Sequence, residues 1–155
     1  MIWQDLHHSE LDVASLYALL QLRSQVFVVE QTCIYQDVDG EDLRGKNRHL
    51  LGWEAGNLTA YARILAEGQQ PGQVAIGRVI VAPQARGQGA GYPLMQQALA
   101  ACERHWPGYT QIISAQAHLQ GFYRRLGFVA EGEVYDEDGI PHITMLRPAG
   151  GQAGA

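Results

Sequence analysis

The chain of 155 residues carries 11 basic and 16 acidic side chains, a net charge of −5, with 46% hydrophobic and 17% charged residues. That length suits one domain with one core. Lys46 is its only lysine, so it lacks the basic face that nucleic-acid binding needs for counterion release. No apolar run approaches the ~20 residues of a membrane span, and the start, Met1-Ile2-Trp3-Gln4-Asp5, has no signal-peptide pattern. The expectation is a cytoplasmic protein with no membrane or nucleic-acid partner and with Cys33 and Cys102 reduced.

In chain order, a helix is expected to start near Ser9. Ser9 with Asp12 reads as a capping box, and Val13, Leu16, Tyr17 and Leu20 recur at helical spacing. Residues 23–35 suit helix or strand, and 37–42 form an acidic turn region. Residues 49–55 and 58–66 read as a hairpin around Gly56-Asn57. A strand follows over 73–82, stopped by Pro83. Residues 89–105 are the strongest helix, with Leu94, Met95, Ala98, Leu99 and Cys102 in one stripe. A short buried strand covers 112–115, and a helix over 117–126 closes at Gly127. Two strands, 128–135 and 142–147, join through Glu137-Asp138-Gly139. The alternation gives a mixed α/β class of the α+β type, with one domain over 1–147 and a tail, 148–155, expected to fray.

The segment Arg86-Gly87-Gln88-Gly89-Ala90-Gly91 opens the strong helix. Glycines let successive N–H groups converge, the helix start adds partial positive charge, and Arg86 adds a full one. An anion such as a diphosphate fits there, and so does an unliganded glycine-rich turn. A Walker loop needs Gly-Lys-Ser/Thr where this chain has Gly91-Tyr92-Pro93, and the alternating glycines do not match G-x-G-x-x-G with an acid on the next strand.

The run Val79-Ile80-Val81-Ala82-Pro83-Gln84-Ala85 followed by that loop resembles motif A of the GCN5-related N-acetyltransferases (GNAT). Phe122-Tyr123-Arg124-Arg125-Leu126-Gly127-Phe128 resembles their motif B. Four further segments are similar to the ElaA-like branch: Arg23-Ser24-Gln25-Val26-Phe27-Val28-Val29-Glu30-Gln31, Tyr35-Gln36-Asp37-Val38-Asp39-Gly40, Ala115-Gln116-Ala117-His118-Leu119-Gln120 and Glu137-Asp138-Gly139-Ile140-Pro141-His142.

The resemblance implies a mostly antiparallel sheet with a central splay and helices on both faces. It also implies acetyl-CoA as co-substrate and an amine of a small molecule or peptide as acceptor. Val79, Ile80 and Val81 would pair with the pantetheine arm as an added strand would. Arg86, Gly87, Gln88, Gly89, Ala90 and Gly91 would hold the pyrophosphate, with Phe122 and Tyr123 beside the coenzyme. Gln116 stands where many members carry an asparagine. Tyr123 matches the tyrosine that protonates the leaving thiolate; a phenol with its ordinary pKa near 10 is protonated at neutral pH.

The base that deprotonates the amine is not identified by motif. Glu30, His118, Asp138 and His142 are candidates, led by Glu30 and His142. Arg63 and Arg78 would share a face if their strands pair antiparallel, and there could bind an acceptor carboxylate; the alternative is two solvated charges. Cys33 suggests a ping-pong route, but direct transfer is the family habit. The histidines lack ligand spacing and Asp37, Asp39 and Asp42 match a calcium loop only loosely, so no metal is expected. The competing reading is an acyl-CoA-binding or sensing module without efficient transfer, and the oligomeric state, a homodimer included, stays open.

Overall fold

A computed structural model describes residues 1–149. Most of the tail expected to fray lies outside the described residues. The strands are β1 (Ile2–His7), β2 (Arg48–Glu54), β3 (Asn57–Leu65), β4 (Gln73–Val81), β5 (Thr110–Gln116), β6 (Val129–Glu137) and β7 (Ile140–Arg147). The helices are α1 (Val13–Arg23), which runs on into a π-helical stretch (Ser24–Glu30), α2 (Gly91–His105) and α3 (Gln120–Arg125). Seven strands form one sheet in the order β1-β2-β3-β4-β5-β7-β6, antiparallel except for β4 and β5.

Strand alternation divides the core into two layers. Leu50, Ala62 and Ile64 pack under Leu94, Met95 and Ala98 of α2. Their neighbours Leu51, Tyr61 and Ile80 face Leu19, Leu22 and Val26 on the opposite side. Helices therefore cover both faces, as expected.

β4 and β5 pair only from Gln73–Thr110 to Ala75–Ile112. A bulge explains why they part. Tyr61 of β3 faces Ile80 and Arg63 faces Gly77, so Arg78 and Val79 together oppose Ala62. Arg78 adopts a left-handed φ of 51° to allow this. A bulge bends its strand and raises its twist, which turns the end of β4 away from β5 and opens a V in mid-sheet.

The segment between the π-helical stretch and β2 is held by buried charge. Arg23, fully buried, donates to Asp37 through Nε at 2.9 Å and to Asp42 through a second nitrogen. Arg63 donates to both Asp39 oxygens at 2.9 Å and to Asp42 at 3.1 Å. Arg78 reaches Asp37 at 2.9 Å and Asp39 at 3.3 Å.

Several local expectations need correction. Strand β1 was not foreseen; it adds to the β2 edge, Ile2 opposite Trp53 through His7 opposite Arg48. The first helix starts at Val13, not near Ser9. Asp12 caps it by accepting from the Ser15 amide, and the capping box belongs to His7 and Glu10 around a separate 3₁₀ turn. Its buried stripe is Leu19, Leu22, Arg23 and Val26, whereas Val13 and Tyr17 are 84% and 71% exposed. The stripe includes an arginine because two carboxylates, Asp37 and Asp42, await it, which hydrophobic periodicity does not register. The β2–β3 turn is Ala55-Gly56, both left-handed, one residue earlier than expected.

Candidate active site

The loop expected to hold the coenzyme forms at the end of β4. After Val81 a 3₁₀ turn, Pro83–Ala85, leads into Arg86 and the glycine loop, where Gly87 and Gly89 hold φ of 82° and 74°. Left-handed backbone at alternate positions is inexpensive only for glycine. α2 then starts with no side-chain cap, so its first amides have no internal partner and face an anion favourably. Phe122 of α3 lies 3.7 Å from where a Cβ on Gly91 would sit, which places motif B against the loop.

Arg86 and Glu30 form a two-pronged ion pair, and Arg86 Nε donates to the Val81 carbonyl at 3.1 Å. Arg86 holds the Glu30 carboxyl below its ordinary pKa. Both side chains are over 40% exposed. Glu30 thus sits against the donor loop and is not part of the cleft lining.

The V opens into a cleft of about 440 Å³ walled by Phe27, Tyr35, Val79, Gln116, Tyr123 and His142. Tyr123 is 8% exposed, edge-on to Phe122 and Phe128 with ring centres 5.1 and 5.9 Å away. Burial pushes its hydroxyl up to about 12, so it stays protonated through neutral pH.

His142 lines the same cleft from β7, paired in register with Gln116 of β5. Its Nδ1 is 2.7 Å from the Ile140 carbonyl. A carbonyl only accepts, so Nδ1 carries the proton and Nε2 of the neutral ring keeps its lone pair. Nε2 stands 3.4 Å from Glu137, a partner for the imidazolium once formed. Asp138, left-handed at φ 52°, also lines the cleft, whereas His118 does not.

Arg63 and Arg78 do share a face, through Asp39. Their guanidiniums are taken by the chain's own carboxylates, and Arg63, 4% exposed, is not solvated. Arg78 also lies 5.0 Å over the Tyr35 ring and borders the cleft. Cys33 borders it too, but burial and then Asp138 and Glu137 raise its thiol pKa, which disfavours a nucleophilic thiolate.

Tyr35, Glu137 and Asp39 in the cleft wall were not singled out from sequence as site residues. One signal was present: three aspartates in six residues, to be matched with three arginines on regular elements. Among the described residues no cluster of histidines, cysteines and acids could hold a metal, and no helix is long and apolar enough to cross a membrane.

A family model described as an acetyltransferase (GNAT) domain matches residues 14–147. The chain belongs to the GNAT family. It is 59% identical over 145 residues to protein ElaA of Escherichia coli K12, covering 94% of this chain and 95% of that one. The crystal structure of Escherichia coli ElaA superposes with a TM-score of 0.89 at 58% identity, over 95% of this chain and 99% of that one. The crystal structure of an acyl-CoA N-acyltransferase from Pseudomonas aeruginosa gives 0.90 at 55% identity, over 94% and 98%. The GNAT fold and the ElaA-like branch expected from the motifs are therefore both shown, and the parted β4 and β5 are the splay that the resemblance implied.

Proposed function

We propose that this protein transfers an acetyl group from acetyl-CoA to a primary amine of a small molecule or peptide, directly, with both substrates bound together. The observation that carries the proposal is the opening between β4 and β5, whose cleft is lined by both Tyr123 and His142. The edge of β4 at Val79–Val81 that β5 leaves without a neighbouring strand suits the pantetheine arm, and the loop from Arg86 to Gly91 suits the pyrophosphate.

A protonated amine cannot attack a thioester. His142 Nε2 takes the proton, and Glu137 stabilises the resulting imidazolium. The nitrogen bonds to the acyl carbon, the carbon–sulfur bond breaks, the Tyr123 hydroxyl donates to the departing sulfur, and the second proton shed by the nitrogen as it becomes an amide restores the phenol. Glu137 and Asp138 border the cleft with no arginine paired to either among the described residues, a negative setting that favours a cationic acceptor approaching from solvent.

Amine-dependent release of coenzyme A thiol tests the proposal. Binding of acetyl-CoA with no release across a broad amine panel would favour a binding or sensing module instead. His142→Gln is expected to lower kcat/KM about a hundredfold with coenzyme A affinity retained; an unaltered kcat/KM would remove the base assignment. Arg86→Ala is expected to weaken coenzyme A about tenfold, since one charge-assisted contact to a phosphate is worth roughly 1.5–3 kcal/mol and losing the exposed Glu30 pair costs little. Calorimetry with coenzyme A and with dephosphorylated pantetheine separates this from a general defect, because only the former should lose affinity.

A further inference from the structure

A second hollow of about 300 Å³ continues the cleft over the closed end of the V. The two share Ile76, Gly77, Arg78, Ile113 and Ser114, so they adjoin. Sheet register explains the hollow. Leu65, Ala75 and Ile112 lie in one row across β3, β4 and β5, and Arg63 and Gly77 begin the next. Residues two apart on a strand face the same way, so the small residues Ala75 and Gly77 form a trough between Leu65 and Ile112. A Cβ on Gly77 would meet nothing within 4 Å. The helices pack elsewhere: α1 sits over β2 and β3, and α2 is on the opposite face.

We infer that this trough receives the acyl chain of the donor beyond its second carbon, so that acyl-CoAs longer than acetyl-CoA are accepted. The inference rests on the acyl-CoA reading above. Direction favours the acyl chain as occupant. An arm paired along Val79–Val81 and heading for the closed end of the V reaches Gly77 and then Ala75 without turning. Lining favours it too. The acceptor-side groups Tyr35, Glu137, Asp138 and His142 touch the cleft but not the trough, whose floor is aliphatic with Arg63, Arg78 and Glu67 at its edges. Ala75, which borders the trough and not the cleft, sets the chain length.

The test is calorimetric binding of acetyl-, butyryl- and hexanoyl-CoA to the intact protein without an amine. Each buried methylene contributes about 0.8 kcal/mol, roughly a fourfold gain in affinity, so butyryl-CoA should bind about fifteenfold tighter than acetyl-CoA. Ala75→Phe should flatten that series, with Ala75→Leu as the milder variant should the first not fold. Equal affinity along the wild-type series overturns the inference, as does a series that neither variant alters. A flat series in a protein that acetylates amines removes only the inference, whereas a steep series without amine-dependent release removes only the transfer reading.

Discussion

Replacing Tyr123 with phenylalanine is expected to lower kcat about a thousandfold while leaving coenzyme A affinity within about twofold of wild type. Positioned general acids contribute roughly 10²–10⁴ in rate, and the substitution removes one oxygen only. The ring keeps its edge contacts with Phe122 and Phe128, so the cleft wall stays in place. Burial that lifts the phenol to about 12 looks unhelpful at first, since an ordinary thiol has a pKa near 8.5 and is the stronger acid. The departing thiolate is formed in the same buried setting, however, and desolvation raises its proton affinity too. The gap between donor and acceptor narrows, and a hydroxyl that is always protonated is always ready to donate. Burst and steady-state kinetics of thiol release would check the expectation, with calorimetry for affinity. Unchanged turnover would remove the acid role; parallel loss of turnover and coenzyme affinity would mean that Tyr123 mainly shapes the wall.

The strand–glycine loop–helix unit was legible in the sequence because its physics is local. Gly87 and Gly89 must be left-handed, Pro83 ends a strand, and an apolar stripe follows, all within about 25 residues. The sheet was legible from β2 onward for a similar reason: alternation and turn residues act over short range. The N-terminal strand was missed because its single partner lies over 40 residues away and its own pattern is weak. The acceptor side was harder still. Whether Arg63 is a ligand for substrate or for Asp39 depends on where the segment 31–47 folds back, which no local pattern encodes. Glu30 shows the same difficulty, since its role changes once Arg86 is found beside it.

That folded-back segment carries the largest expected stability effect. Arg23→Ala is expected to destabilise the protein by about 3–5 kcal/mol, because deleting one member of a buried ion network leaves uncompensated charge behind. Arg23 bridges Asp37 and Asp42 with no exposure of its own. Without it, Asp42 keeps only Arg63, and one Asp42 oxygen already lacks a partner. For a domain of this size such a loss lowers the melting temperature by about 10 °C or more. Glu30→Gln, on an exposed pair, should cost less than about 1 kcal/mol and serves as the control. The network also sets a pH dependence whose sign is fixed. Burial alone would raise the Asp39 pKa, but hydrogen bonds from Arg63 and the Glu41 amide, with the Arg63 charge, bring it to about 2; Asp42 is lowered against burial by Arg23. Carboxylates held below their unfolded pKa stabilise the fold above about pH 4 and lose that contribution as pH falls towards 2. Burial lowers His49, which lies between Tyr61 and the Asp42 carbonyl, so its neutral form adds stability that begins to fall below about pH 6.5. Urea unfolding from pH 7 down to pH 3 should therefore show wild-type stability falling in two stages. Arg23→Ala should be far weaker at pH 7, and the gap should narrow in acid as wild type loses the contribution of the lowered Asp42 carboxylate. A variant within 1 kcal/mol of wild type at pH 7, or a gap that persists undiminished at pH 3, would mean that packing of the α1 stripe, not the charge network, holds the acceptor segment in place.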